Sequence, residues 1–155
     1  MFEKSIEILR KIEENGFEAY LVGGCVRDLL MAKEPKDFDI TTNALPDDVL
    51  KIFDDARYEN DFGTVLLPIR DENGKAISVI EITTYRSESG YQDHRRPDEV
   101  IFEKELDKDL SRRDFTVNAM ALCLPGKNKE KYNSKKIEIN KQEFYLVDFF
   151  GGLKD

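Results

Sequence analysis

The stretch that constrains this chain most is LVGGCVRDLL at residues 21–30, followed closely by DFDIT at 37–41. Ala19 to Val22 is a short apolar run and reads as a strand. It stops at Gly23-Gly24, and Val26 to Met31 then carries a helical pattern. A strand that turns on glycine straight into a helix leaves the first backbone N–H groups of that helix pointing outward. Gly23 and Gly24 bring no side chains, so phosphate oxygens can approach those groups. Arg27, one turn on, offers a planar fork to the same anion. Taken alone, Gly-Gly before a helix is more often a device for close packing, and the third glycine of a dinucleotide fingerprint is missing.

DFDIT supplies the second constraint. Phe38 to Thr41 reads as a strand, and residues two apart in a strand share a face. Asp37 and Asp39 are therefore expected side by side, with Phe38 turned into the core. Adjacent carboxylates repel unless a cation sits between them, and hard oxygen ligands suit Mg²⁺. Two solvated acids at a strand end are the plainer alternative. In VIEITTYR (79–86), alternation puts Val79, Glu81, Thr83 and Tyr85 on one face and Ile80, Ile82, Thr84 and Arg86 on the other. The isoleucines look core-directed, which leaves Glu81 opposite them, at a cleft or simply in solvent. A carboxylate at a cleft could complete a metal site or take the proton of an attacking hydroxyl. In DLSRRDFTVNAMAL (109–122), Arg112, Arg113 and Asp114 precede a helical pattern that includes Val117, Met120 and Ala121. The arginines could pair with a triphosphate, and Asp114 or Asn118 could hydrogen-bond a ribose. The same residues also suit a helix boundary, with Asp114 as its cap and the arginines in solvent.

The remaining pattern is that of one α+β domain over residues 1–155. Phe2, Ile6, Leu9 and Ile12 predict a helix from Phe2 to Asn15, stopped by Gly16. Pro46 to Phe53 is a second helix, with Pro46 in its first turn and Asp47 and Asp48 at its positive end. Residues 63–69 and 76–84 are strands around the turn signal Asn73-Gly74. Residues 87–99 lack an apolar period and read as a loop. Helices are expected at 106–113 and 115–122, a lysine-rich loop at 126–136, and a last pair of strands at 136–140 and 144–149. No linker or repeat divides the chain. GGLKD at 151–155 reads like the opening of a further helix, so the chain is expected to be part of something longer.

Composition narrows the function classes. The chain has 155 residues, 40% of them hydrophobic and 36% charged, with a net charge of −8. A module that grips RNA by itself is usually basic, because phosphate neutralisation supplies most of the affinity. An acidic domain suits holding cations and leaving RNA grip to other parts. No apolar run reaches the length of a bilayer span, and the charged N-terminus is unlike a secretion signal. Cys25 and Cys123 form no CxxC and read as small buried thiols. Cytoplasm is the expected compartment.

Together, in this order, LVGGCVRDLL, DFDITT, GTV, EITTYR and RRDFTVNAMA resemble the head domain of class II tRNA nucleotidyltransferases (CCA-adding enzymes) and bacterial poly(A) polymerases. The resemblance runs from about Ala19 to Lys154. It implies a polymerase-β-like nucleotidyltransferase fold: a mixed, mostly antiparallel sheet flanked by helices. It implies that Asp37 and Asp39 bind two Mg²⁺ ions, that Glu81 is the third catalytic carboxylate, and that Gly23, Gly24, Arg27 and Arg113 bind nucleotide. Asp114 and Asn118 match positions near the sugar. It further implies ATP and CTP as substrates and the tRNA 3′ end as acceptor, held mainly by neck, body and tail domains beyond the head. Poly(A) addition, or a nucleotide-binding fragment without activity, are the alternatives. Two features depart from the family: Met31-Ala32 stands where it often has Leu-Gly, and the 127–136 loop is longer than usual.

Overall fold

The computed structural model describes residues 1–59, 63–89, 99–111, 119–126 and 132–148. In chain order the elements are α1 (Phe2–Glu14), β1 (Ala19–Val22), α2 (Gly24–Leu30), β2 (Asp39–Thr42), α3 (Pro46–Ile52), β3 (Arg57–Tyr58), β4 (Thr64–Arg70) and β5 (Ala76–Thr84). They continue with β6 (Arg86–Ser89), β7 (Glu99–Phe102), α4 (Leu106–Ser111), β8 (Met120–Cys123), β9 (Ser134–Ile139) and β10 (Gln142–Asp148). Eight strands form one sheet in the order β3-β4-β5-β2-β1-β8-β10-β9, and β6 and β7 pair as a separate ribbon. Among the described strands of this sheet, only the β2–β5 pair is parallel; the other neighbours run antiparallel. This is the mixed, mostly antiparallel α+β sheet expected from the sequence.

Strand alternation sorts side chains to two faces. On one face Leu21, Ile40, Val65, Leu67, Ile80, Ile82, Leu122, Phe144 and Leu146 pack under Ile6, Leu9 and Ile12 of α1, Val26 and Leu29 of α2, and Val49 of α3. Each such side chain stabilises the fold by roughly 1.5–3 kcal/mol when fully buried. The opposite face carries a smaller cluster. There Tyr20, Val22, Tyr85, Ala121, Cys123 and Val147 meet Leu106 and Leu110 of α4. The Tyr85 hydroxyl donates to Glu18 Oε1 at 3.0 Å, and Tyr132 accepts the Leu106 N–H at 2.8 Å while donating to Glu105 at 3.1 Å.

Local chemistry explains most boundaries. α1 and α2 end in the same way. The N–H of Gly16 bonds to the Glu13 carbonyl and that of Phe17 to Ile12; the N–H of Ala32 bonds to Leu29 and that of Lys33 to Asp28. Both are Schellman ends, which place the residue after the cap in the left-handed region. Gly16 does so at φ 90°, but Ala32 does so at φ 56° with a side chain. The Met31-Ala32 departure therefore leaves local backbone strain. α3 starts on Pro46, and Asp48 accepts the Leu45 N–H at 3.0 Å. Gly63 is needed for contact: a Cβ there would lie 2.6 Å from the Phe102 ring.

Four sequence expectations change. The helix expected at 115–122 is replaced, where described, by β8; residues 112–118 lie outside the described residues. Met120 and Leu122 face one cluster, Ala121 and Cys123 the other, so this central strand is buried on both sides and shows no period of two. The expected loop at 87–99 is framed by β6 and β7, and residues 90–98 lie outside the described residues. The short edge strand β3 was not expected. The last hairpin turns on Asn140-Lys141, both with positive φ (51° and 68°), so β9 reaches back to Ser134 into the expected lysine-rich loop.

Candidate active site

One transverse row of the sheet sets the geometry. Register pairs Val22 with Asp39, Asp39 with Glu81, and Glu81 with Leu66. Asp39 and Glu81 are thus direct neighbours on parallel strands, on the face opposite Ile40 and Ile82. Phe38, 1% exposed, is anchored in the core and turns Asp37 outward beside Asp39. Asp37, Phe38, Asp39, Val79 and Glu81 line one open cavity of about 360 Å³. The three carboxylates proposed from the sequence therefore meet on one surface.

Their charges interact. Partial burial raises the Glu81 pKa above the ordinary glutamate value, and the negative charges of Asp39, Glu59 and Asp37 raise it further. Glu59 was not anticipated, because it follows a two-residue strand with no periodic signal. Thr41 Oγ1 donates to the Thr83 carbonyl at 3.1 Å, two residues along each strand from Asp39 and Glu81, and braces that pair. Among the described residues, no group of three or more His, Cys, Asp or Glu side chains stands ready-made to hold a metal ion. That does not conflict with Mg²⁺, which usually keeps several waters and binds through one or two carboxylates together with substrate phosphates.

The glycine turn borders the same cavity. Gly23 is the N-cap of α2 at φ 78°, and a Cβ on it would lie 3.4 Å from Asp39 Oδ2. A side chain there would strain the backbone and crowd the carboxylate. A Cβ on Gly24 would lie 3.3 Å from Arg27 Nη2, so the guanidinium hangs over the turn. Arg27 Nε also pairs with Asp28 at 3.3 Å. Behind the turn, the Cys25 thiol donates to the Val22 carbonyl at 3.1 Å, and burial pushes its pKa up to about 11. It is a packing thiol rather than a nucleophile. Both cysteines are free and buried.

Arg113, Asp114 and Asn118 lie outside the described residues. β8 pairs with β1 with Ala121 opposite Val22, so the chain enters β8 at the sheet end where the glycine turn leaves β1. A larger cavity of about 620 Å³, between Phe2, Leu29, Phe38 and Ile137, is lined mainly by apolar groups and contains none of the three carboxylates.

The mixed, mostly antiparallel sheet with its flanking helices is that of the polymerase-β-like nucleotidyltransferase class. Residues 19–155 match the poly A polymerase head domain, and the chain belongs to that family. It is 42% identical to a CCA-adding enzyme of Lactobacillus delbrueckii and 46% identical to one of Lactobacillus helveticus; each alignment covers the whole chain and 33% of the relative. The chain thus spans about a third of the length of these relatives. Among solved structures it resembles the Bacillus stearothermophilus CCA-adding enzyme in complex with CTP, with a TM-score of 0.70 and 31% identity over 99% of this chain and 31% of the other. A tRNA nucleotidyltransferase complexed with a primer tRNA and an incoming ATP analog matches with a TM-score of 0.61 and 28% identity, over 96% of this chain and 36% of that one.

Proposed function

We propose that this chain is the catalytic head of a template-independent RNA nucleotidyltransferase that adds CMP and AMP to the tRNA 3′ end. The observation that carries the reading is the convergence of Asp37, Asp39 and Glu81 on one cavity beside Gly23. The names of the relatives favour CCA addition over poly(A) addition.

The donor set fits Mg²⁺ because every candidate ligand is a hard oxygen. Asp37 and Asp39 would hold it, with two ions implied by the family resemblance. When bound, Mg²⁺ supplies Lewis-acid polarisation and charge neutralisation at the phosphates. The chain's own residues do the rest. The backbone of the Gly23-Gly24 turn receives phosphate oxygens at the start of α2, and Arg27 pairs with the same group. Glu81, whose pKa is raised above the ordinary glutamate value, can take the proton of the acceptor hydroxyl. Positioning and charge stabilisation carry most of the rate. Arg113, Asp114 and Asn118 are assigned to the nucleotide on resemblance alone.

ATP, CTP and the tRNA 3′ end are the proposed partners. The head alone supplies the chemistry, and base selection and RNA grip are assigned to parts outside it. Cytoplasmic residence is part of the proposal, in keeping with two unpaired buried cysteines. No helix of the described residues is long and apolar enough to cross a membrane. Calorimetry with CTP or ATP tests the reading: binding should require Mg²⁺ and disappear with EDTA. Nucleotide binding indifferent to Mg²⁺ would refute it.

A further inference from the structure

The two edges of the large sheet differ. β3 ends it on one side with two residues, a very short edge of the kind that resists pairing. β9 ends it on the other with six, Ser134–Ile139, in unbroken register with β10 and without proline. Among the described residues no strand covers the outer side of β9. A regular edge strand is a template for pairing, which proteins usually blunt with charge, proline or a bulge. Only charge is present here, and it is mixed in sign: Lys135, Lys136 and Glu138 are exposed.

These charges are unevenly matched within one chain. Glu138 stands directly opposite Glu143 on β10, where like charges repel. Lys136 reaches Glu143 at 3.3 Å, whereas Glu138 makes no ion pair among the described residues. Lys136 and Glu138 share the open face of the sheet with Tyr145 and Glu143. Ile137 and Ile139 lie on the helix face, half-buried against the core.

Backbone geometry restricts what can pair with this edge. The hairpin turns on Asn140-Lys141, both at positive φ, so Ile139 and Gln142 close it as a hydrogen-bonded pair. Peptide groups along an antiparallel strand point alternately to either side. Those of Ile137 and Ile139 therefore point to β10, and those of Lys136 and Glu138 point outward. A second β9 strand, antiparallel across a two-fold axis, must set outward residues against outward residues. An axis through Lys135, Lys136 or Glu138 puts that residue opposite its own copy, like charge against like. An axis through Ile137 puts Lys136 of each chain opposite Glu138 of the other and brings the two Ile137 side chains together. The strand is thus complementary to itself in one register.

We infer that the outer edge of β9 is a homodimer interface, in which two copies of this chain pair through antiparallel β9 strands centred on Ile137. Lys136 of each copy then lies between Glu143 of its own chain and Glu138 of the other, which relieves the repulsion between Glu138 and Glu143. β10, β8 and β1 separate β9 from β2, so the carboxylate cavity stays open. One strand pair is small beside the roughly 1,200–2,000 Å² of a standard interface, so the expected dissociation constant is on the order of 100 μM.

Sedimentation equilibrium of the 155-residue chain over a concentration series should show monomer and dimer in exchange. Lys136→Glu sets acid against acid across the axis, and Glu138→Lys sets base against base. Each should weaken dimerisation at least tenfold while leaving Mg²⁺-dependent nucleotide binding unchanged. Mixed in equal amounts, the two variants are complementary at both contacts and should dimerise with each other. Glu138→Lys also removes the repulsion with Glu143 and should fold at least as well as the original chain, so its loss of dimer reads the interface rather than the fold. Amide hydrogen exchange checks the same contact without a substitution: the N–H groups of Lys136 and Glu138 should exchange more slowly as protein concentration rises, with no such change at Tyr58 on the opposite edge. A chain that stays monomeric at about 1 mM would overturn the inference and leave the edge to a strand of another protein. Single variants that dimerise as the original does, or a mixture that remains monomeric, would overturn it equally.

Discussion

The two faces of the central sheet are built from the same strands but to opposite ends. Ile40 and Ile82 point into a core closed by three helices, and each is 1% exposed or less. Asp39 and Glu81, one residue away on those strands, point into an open cavity and crowd like charges together. The closed face supplies the free energy, and the open face draws on it to hold carboxylates where they repel. The period of two in a strand makes this division possible within four residues.

The largest expected effect lies on the open face. Asp39→Asn keeps the shape of the side chain and removes its charge. In a complete enzyme carrying this head, nucleotide addition to a tRNA lacking its CCA end should fall roughly 10³-fold, equivalent to about 4 kcal/mol of transition-state stabilisation. The melting temperature should hold. A marked loss of stability would show that the open face is structural after all and would break the comparison. The mirror experiment is Ile82→Ala, which removes a fully buried side chain from the closed face. Denaturant titration should give a loss of about 2–5 kcal/mol. A loss below 1 kcal/mol would mean that the closed face is not where the stability lies.

The sequence showed these two faces unequally. Asp37, Asp39 and Glu81 were legible because alternation beside Ile80 and Ile82 fixes their direction once a strand is recognised. Gly23 was legible as a turn, but its second duty, leaving room for Asp39, needed the pairing of β1 with β2. β8 was misread because Val117, Met120 and Ala121 fall at helical spacing, and a strand buried on both sides offers no alternation to contradict them. The ribbon of β6 and β7 was missed because Arg86–Ser89 is polar and pairs with a segment far along the chain. The approach of Glu59 to Glu81 is a consequence of neighbouring strands, which no local pattern records.

Ala32 allows the closed face to be improved without touching the open one. It occupies the left-handed position after α2 that Gly16 fills after α1. The left-handed conformation costs a side-chain-bearing residue roughly 1–2 kcal/mol, and glycine returns part of that through the larger entropy of its unfolded chain. Ala32→Gly should stabilise the protein by about 0.5–1 kcal/mol, read as a rise in melting temperature, with Mg²⁺-dependent nucleotide binding unchanged. A drop in nucleotide affinity would reveal that the end of α2 is coupled to the turn at its start.

The smallest effect is the sharpest test of whether the open face costs stability. The folded-state pKa of Glu81 is raised, chiefly by burial and then by Asp39, Glu59 and Asp37. A carboxyl whose pKa is higher in the folded state binds more protons there than in the unfolded chain, so stability falls as pH rises through its titration range. At low pH, with Glu81 protonated in both states, the penalty vanishes; at neutral pH, with no divalent cation present, it is fully felt. Glu81→Gln should therefore stabilise the protein slightly at pH 7 in EDTA, by less than about 0.5 kcal/mol because the side chain is solvent-screened, read as a small rise in melting temperature. The gain should shrink as pH falls through the raised titration range of Glu81 and be gone below the ordinary glutamate value. Added Mg²⁺ should stabilise the original protein more than the variant, since cation binding relieves the same repulsion. An equal gain at every pH would assign the effect to packing and leave the electrostatic cost of this face without support.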